Sequence, residues 1–175
     1  MQALTALLGA QNIAATTIAE LPTLLGLFRK GEFGLLHFTC HNAFAAGAPN
    51  ACRIMLGSQP FEPVFLEQHA GRFTAAAPLV FMNACRTDGQ APLYTTIDGW
   101  ALSFLRAGAG AFVGSLWEVV DSSAATYAQE FYRAALGGDT LGEAAGKARE
   151  AIRYEPGDPT WLAYTLYGDP AATVG

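Results

Sequence analysis

Two short apolar runs separated by helix-like sequence dominate the hydrophobic pattern of this chain. Residues 33–40 and 78–84 are apolar and rich in β-formers, and each is followed by a polar stretch. Runs of this length and composition are typical of buried strands. Because helical sequence lies between them, they predict neighbouring parallel strands joined by a helical crossover. His41 follows the first run and Cys85 follows the second.

The remaining pattern predicts a three-layer α/β domain with a mostly parallel sheet. The element order is α-β-α-β-α-β-α-α-β, which is typical of that architecture. Residues 42–60 are expected to form a loop with a short strand at 54–56, and Asp121 is expected to cap a helix. The predicted helices cover about 3–9, 17–30, 62–72, 98–107, 122–136 and 140–154, and the main strands about 33–40, 78–84, 109–116 and 161–167.

Composition places the chain among globular proteins and limits the classes of partner that it can bind. Its 175 residues fit one domain, and with 51% apolar and 14% charged residues it can bury a sizeable core. A net charge of −5 and the lack of a basic patch argue against a nucleic-acid partner. Neither a membrane span nor a secretory signal is indicated. Three cysteines favour reduced thiols in the cytoplasm over a disulfide framework.

The residues that follow the two strands supply the candidate chemistry. Carboxyl ends of parallel strands face one crevice, so the imidazole of His41 and the thiol of Cys85 are expected to meet there. Together they are the two groups that catalysis by a cysteine nucleophile with a histidine base requires. His37, in mid-strand, is expected to be an interior hydrogen-bonded histidine. Asp121 either caps its helix or presents a charge to a substrate.

A metal site is an alternative use of the same residue types. Cys40, His41, Cys52, His69 and Cys85 are all possible soft ligands. None of them stands in a C-x-x-C or H-E-x-x-H spacing, so zinc has little support. No metal and no cofactor are therefore predicted.

Several segments carry a resemblance to a known family. In order they are Leu36–His41, Asn83–Thr87, Phe104–Ala109, Gly114–Asp121, Glu130–Tyr132, Glu143–Ala145, Trp161–Tyr164 and Tyr167–Pro170. Together they resemble the CHAT domain, a caspase-like peptidase domain associated with TPR repeats and grouped with the caspase- and separase-type cysteine peptidases. The resemblance implies a caspase-haemoglobinase-like fold, with residues 1–175 forming a single CHAT domain that is part of a larger protein.

The same resemblance implies an activity and a site. His41 matches the catalytic histidine and Cys85 the nucleophile, and the backbone amides of Asn42 and Cys85 match the donors that hold the oxyanion. Glu118 and Asp121 are expected to line the pocket for the residue before the cut, which favours a basic side chain. The expected function is a cysteine endopeptidase acting on a protein or peptide substrate in a regulated bacterial signalling or defence setting.

Two departures from the family pattern keep other interpretations open. The family usually has glycine after the histidine, where this chain has Asn42. It also has strands ahead of the one that carries the histidine, whereas only helices are predicted there in this chain. That leaves a sheet edge for TPR repeats or another chain to cover. The alternative is a caspase-like scaffold with a misaligned dyad, and a metal hydrolase is third.

Overall fold

A four-stranded sheet covered by helices on both faces forms the body of the protein. The computed structural model describes residues 2–39, 42–44, 52–83, 95–117, 119–154 and 156–174. The strands are β1 (Leu35–Thr39), β2 (Asn42–Phe44), β3 (Cys52–Leu56), β4 (Gln59–Phe61), β5 (Leu79–Asn83), β6 (Ala111–Ser115) and β7 (Tyr164–Gly168). The helices are α1 (Gln2–Ala10), α2 (Leu21–Lys30), α3 (Val64–Glu67), α4 (Thr95–Ala107), α5 (Asp121–Leu136), α6 (Leu141–Ile152) and α7 (Thr160–Ala163).

The main sheet has the strand order β1-β5-β6-β7. Strands β1, β5 and β6 are parallel, and β7 pairs antiparallel with β6. The prediction of a three-layer α/β domain with a mostly parallel sheet is therefore confirmed. The two apolar runs of the sequence are neighbours, since β1 and β5 pair along their whole length. Among the residues that the structure describes, strand β1 forms one edge of this sheet.

Two apolar cores lie on opposite faces of the sheet. One contains residues of α1, α5 and α6, and the other contains residues of α2, α3 and α4. Strand β5 contributes to both, because alternate side chains point to opposite faces: Phe81 lies in the first core and Val80 in the second, each fully buried. Within the described residues, the helices lack the combined length and hydrophobicity required to cross a bilayer.

The connection between β1 and β5 differs from the sequence prediction. The expected loop contains a second, antiparallel sheet in the order β2-β3-β4, of which only the segment 54–56 was predicted as strand. The expected helix at 62–72 is α-helical only over Val64–Glu67. Farther along the chain, backbone hydrogen bonds are made to α4 and not within a helix. The N–H groups of Gly71 and Phe73 donate to the carbonyls of Arg106 and Ala107 at the end of α4.

Helix boundaries follow local chemistry more closely than apolar spacing. Helix α2 starts at Leu21 with Pro22 in its first turn, and it ends at Gly31, whose φ of 71° is the left-handed cap that the glycine predicted. The capping box of Thr140 and Glu143 is present as predicted. Asp121 is not the cap of α5: Val120 occupies that position, and Asp121 is the first helical residue.

The last predicted strand begins later than expected. Residues Trp161–Ala163 belong to the short helix α7, and β7 starts at Tyr164. The reason is Asp158, whose carboxylate accepts from the backbone N–H of Thr160 at 2.9 Å and so starts a helical turn there. The apolar pattern of Trp161–Ala163 did not reveal this, because a short apolar run fits a buried helical turn as well as a buried strand.

Candidate active site

The carboxyl ends of β1 and β5 lie side by side. Thr39, the last residue of β1, is the register partner of Asn83, the last residue of β5, and the strands run in the same direction. His41 and Cys85 each follow two residues later in the sequence. Both lie outside the described residues, as does Glu118, so the structure places the strand ends that lead to the two residues.

Polar residues form a row across the sheet at this end. Thr39 pairs with Asn83, and Ser115 pairs with Tyr164. Because Met82 pairs with Gly114, Asn83 follows on the same line as Ser115. We call Thr39, Asn83, Ser115 and Tyr164 the polar row. It lies at the end of the sheet from which the chain continues to His41 and Cys85.

A hydrogen bond joins two members of this row, Asn83 and Tyr164. The hydroxyl of Tyr164 donates to Oδ1 of Asn83 at 2.7 Å. The amide nitrogen of Asn83 faces the carbonyl oxygen of Ala124 on α5 at 3.5 Å, a long contact. Asn83 thereby connects β5 with β7 and α5 at the point where the chain leaves the sheet towards Cys85.

Strand β2 starts directly after His41, and its register depends on the β3–β4 hairpin. In that hairpin Met55 is opposite Pro60, and Ile54 is opposite Phe61. Proline has no N–H to donate, so Met55 and Pro60 form a non-hydrogen-bonded pair. Hydrogen-bonded and non-hydrogen-bonded pairs alternate along an antiparallel ladder. The neighbouring pair of Ile54 and Phe61 is therefore hydrogen-bonded, and Ile54 directs its N–H and C=O groups towards Phe61.

The same alternation fixes the direction of the Asn42 amide. Asn42 is opposite Ile54, and Ala43 is opposite Arg53. Because the backbone groups of Ile54 face β4, Asn42 lies in a non-hydrogen-bonded pair, and the β2–β3 bonds are made at Ala43 and Arg53. The N–H of Asn42 therefore points away from β3, on the side of β2 that the ladder does not use.

The loop after β6 forms another part of this end of the sheet. The backbone N–H of Val120 donates to the hydroxyl oxygen of Thr160 at 3.1 Å. The carboxylate of Asp158 in turn accepts from the hydroxyls of Thr160 and Ser123, each at 2.5 Å. Burial raises the pKa of Asp158, but the hydrogen bonds from Ser123 and Thr160 outweigh burial and lower it. These bonds attach the start of α5 to the segment before α7.

Asp121 lies beside this loop and is exposed to solvent. As the first residue of α5 it places a carboxylate next to the positive end of the helix dipole, a favourable position for an anion. The expectation that it caps the helix was wrong, since the N-cap is Val120 and its side chain makes no capping bond. Its expected place in a substrate pocket stays a prediction.

His37 is an interior residue, as predicted. Its Nδ1 lies 2.9 Å from the hydroxyl of Tyr132, and its ring stacks on that of Phe81 at 5.0 Å. Burial lowers the pKa of His37 to about 4. The imidazole is therefore neutral at physiological pH and belongs to the core beneath α5 rather than to the loops beyond β1.

Of the possible metal ligands, the structure describes the side chain of His69. It packs between the rings of Phe28 and Phe73 on the α2 side of the sheet, with centroid distances of 5.7 and 6.3 Å. Burial lowers its pKa, and the cations of Arg29 and Arg72 lower it further. Across the described ranges no three His, Cys, Asp or Glu side chains are grouped so that they could hold a metal ion.

Sequence reasoning did not single out the polar contacts around the strand ends. Asn83 and Tyr164 entered only as parts of the family segments, and Asp158 did not enter at all. One signal was present: Asn83 is the single polar residue of the strand Leu79–Asn83. A polar side chain that ends an apolar strand needs a partner when it is buried, but the sequence does not identify the partner.

Comparison with known proteins agrees with this architecture. A family model described as the CHAT domain matches residues 1–169. No curated protein matches the chain. Among solved structures, the chain is similar to gingipain R, described as an Arg-specific cysteine proteinase, with a TM-score of 0.63 and 17% sequence identity. The match covers 93% of this chain and 37% of that one, so this chain spans about a third of its length. The likeness shows a caspase-haemoglobinase-like fold.

Proposed function

This chain belongs to the CHAT domain family, and we propose that it is a cysteine endopeptidase with His41 as the base and Cys85 as the nucleophile. The observation that carries the proposal is the pairing of Thr39 with Asn83. Neighbouring strands lie about 4.8 Å apart, and two further residues extend a chain by at most about 7 Å. The imidazole and the thiol are therefore within reach of one crevice, and such proximity is what a nucleophile and its base require.

The proposed reaction begins with transfer of the Cys85 thiol proton to His41. The thiolate attacks the carbonyl carbon of the scissile peptide bond and forms a tetrahedral oxyanion. His41 then gives the proton to the leaving amine, the C–N bond breaks, and a thioester remains. Water, deprotonated by His41, attacks the thioester and releases the carboxylate product and the free thiol.

The direction of the Asn42 amide supports its proposed part in this reaction. The backbone amides of Asn42 and Cys85 would donate to the oxyanion, and each such donor is worth about 3–4 kcal/mol in comparable sites. A donor must not be used elsewhere. In the register of the small sheet, the N–H of Asn42 points away from its neighbouring strand.

We also propose that Glu118 and Asp121 favour a basic side chain before the cut. Both residues follow β6, at the same end of the sheet as His41 and Cys85. Asp121 is exposed to solvent, and carboxylate groups attract basic side chains. The structurally similar gingipain R is described as Arg-specific, which is consistent with this preference.

The reactivity of the Cys85 thiol distinguishes this peptidase from the alternative, a caspase-like scaffold. The alternative is favoured by Asn42, which stands where the family usually has glycine. At pH 6 an ordinary thiol with a pKa near 8.5 is almost entirely protonated and alkylates slowly. We expect Cys85 to alkylate at least about ten-fold faster than Cys52 at pH 6, because a neighbouring imidazolium favours the thiolate.

The measurement is site-resolved labelling with iodoacetamide, quantified by mass spectrometry over time. His41→Ala is the matched variant, and it should bring the rate at Cys85 down to that of Cys52. Equal slow labelling of Cys85 in the parent and in His41→Ala would favour the scaffold. We also propose a cytoplasmic location, because three cysteines, an odd number, favour reduced thiols over a disulfide framework.

We further propose that TPR repeats or another chain cover the edge of the sheet at β1. The N–H of Leu79 donates to the carbonyl of Gly34, so in the parallel ladder Leu36 and Phe38 direct their backbone groups towards β5. The backbone groups of Leu35 and His37 face the opposite side, where no strand of the described residues pairs with β1. Such an edge is a template for strand addition.

Amide hydrogen exchange tests this edge. In the chain described here, the amides of Leu35 and His37 should exchange faster than those of Leu36 and Phe38, because only the latter pair is hydrogen-bonded within the sheet. In a longer form of the protein that carries the covering partner, all four should be protected. Unchanged fast exchange at His37 in the longer form would contradict the proposal.

A further inference from the structure

We propose that Asn83, held by the hydroxyl of Tyr164, is a positioning residue that fixes how β5 delivers Cys85 to the site. The inference rests on the proposed function, because it concerns the nucleophile of that reaction. Asn83 is the last residue of β5 and precedes Cys85 by two positions. Whatever fixes the Asn83 side chain and backbone therefore fixes the point from which the chain leaves the sheet towards the thiol.

The contacts of the Asn83 amide define one orientation. Its oxygen accepts from the Tyr164 hydroxyl at 2.7 Å, and its nitrogen lies 3.5 Å from the carbonyl oxygen of Ala124. A flipped amide would direct its nitrogen at the hydroxyl and its oxygen at the carbonyl, and the second of these contacts would be repulsive. The amide therefore has one favourable arrangement between β7 and α5.

The partner of Asn83 is itself rigid. Tyr164 is 2% exposed, and its ring stacks on Tyr127 with centroids 3.9 Å apart and an interplanar angle of 11°. Its backbone carbonyl accepts from the Arg149 guanidinium at 3.2 Å, and it pairs with Ser115 in the sheet. Packing on both sides leaves the hydroxyl little freedom, so the position of Asn83 follows from the body of the fold rather than from the loops.

A purely structural role would make a different prediction. A single hydrogen bond of this kind contributes about 0.5–1.5 kcal/mol to stability, and its loss would lower the unfolding temperature without changing the chemistry of a thiol two residues away. A positioning role requires that loss of the bond also changes the reactivity of Cys85, because a thiol displaced from its base loses the stabilisation of the thiolate.

Tyr164→Phe is the direct test, because it removes the hydroxyl and keeps the stacked ring. In a Cys40→Ala, Cys52→Ala background, where Cys85 is the only remaining cysteine, we expect alkylation by iodoacetamide at pH 6 to slow about five-fold or more, an effect of about 1 kcal/mol. The loss should be smaller at pH 9, where an ordinary thiol is already mostly ionised. Asn83→Leu should have the same effect.

The matched control is Tyr127→Phe, which removes a hydroxyl from the same stacked pair of rings. Asn83 should keep its contacts in this variant, because they are made to Tyr164 and Ala124. It should keep the parental rate within about two-fold, as expected of a change that leaves the interacting pair intact. The double variant Asn83→Leu with Tyr164→Phe should be no slower than Asn83→Leu alone, because the two residues act as a unit.

The outcomes separate this inference from the proposed function. Parental rates at pH 6 in both Tyr164→Phe and Asn83→Leu, with only the unfolding temperature lowered, would overturn the positioning role. If Cys85 of the parent protein alkylates as slowly as an ordinary thiol, the proposed peptidase function is overturned. The ratio of the alkylation rates of variant and parent, measured at pH 6 and pH 9, still shows whether Asn83 controls the thiol. A Tyr127→Phe effect as large as that of Tyr164→Phe would also count against the inference.

Discussion

Replacing Cys85 or His41 with alanine should abolish peptide cleavage by this protein. Without the sulfur no thioester forms, and without the imidazole no group takes the thiol proton or protonates the leaving amine. We expect each single change to lower kcat/KM by at least about 10³-fold, and the double change to cost little more, because nucleophile and base act as one unit.

The measurement is initial-rate cleavage of a peptide library, sorted by the residue before the cut. Cys52→Ala is the matched control, since it also removes a thiol but lies on β3 of the small sheet. It should keep parental activity. Cleavage by both Cys85→Ala and His41→Ala at parental rates would disprove the assignment of these two residues as nucleophile and base. A loss with Cys52→Ala alone would assign the chemistry to a different thiol.

Lowering the pH should destabilise the folded protein through His37. The pKa of this residue is lowered from 6.5 to about 4 by burial, so the imidazole is neutral in the folded state where the unfolded chain is already protonated. Stability from this group is fully present above pH 6.5, falls as the pH drops from 6.5 towards 4, and changes no further below that. A shift of this size corresponds to at most about 3 kcal/mol.

Urea unfolding at pH 7.5 and at pH 4.5 measures the effect. His37→Gln removes the titrating ring and retains polarity, so its free energy of unfolding should fall less over the same interval than that of the parent. His69→Gln is the control, because His69 is the other described histidine whose pKa is lowered. His69 is less buried than His37 and also lies near Arg29 and Arg72. Identical pH dependence in the parent and His37→Gln would contradict the buried neutral imidazole.

The apolar runs were enough to predict the parallel pair that leads to the candidate site. Residues 33–40 and 78–84 became β1 and β5, and the prediction that they are neighbours is confirmed. The interior position of His37 and the capping box at Thr140 were also correct. These features depend on periodicity and on residues close in sequence, where local physical chemistry decides the outcome.

The small sheet and the start of β7 were not predicted. Polar and small residues in 42–60 resemble a loop, although their backbone groups pair with each other in β2, β3 and β4. At the other end of the chain, Trp161 looked like the start of a strand, but the Asp158 carboxylate starts a helical turn at Thr160. In both regions, hydrogen bonds between specific partners outweighed the hydrophobic pattern.

For the candidate site, the sequence by itself determined which reactive residues follow which strands: His41 after β1 and Cys85 after β5. Only the tertiary structure decided that Thr39 and Asn83 are partners in register, that the Asn42 amide points away from β3, and that Tyr164 holds Asn83. The physical reason is distance along the chain: Tyr164 lies 81 positions from Asn83, and no local preference encodes a contact between residues that only folding brings together.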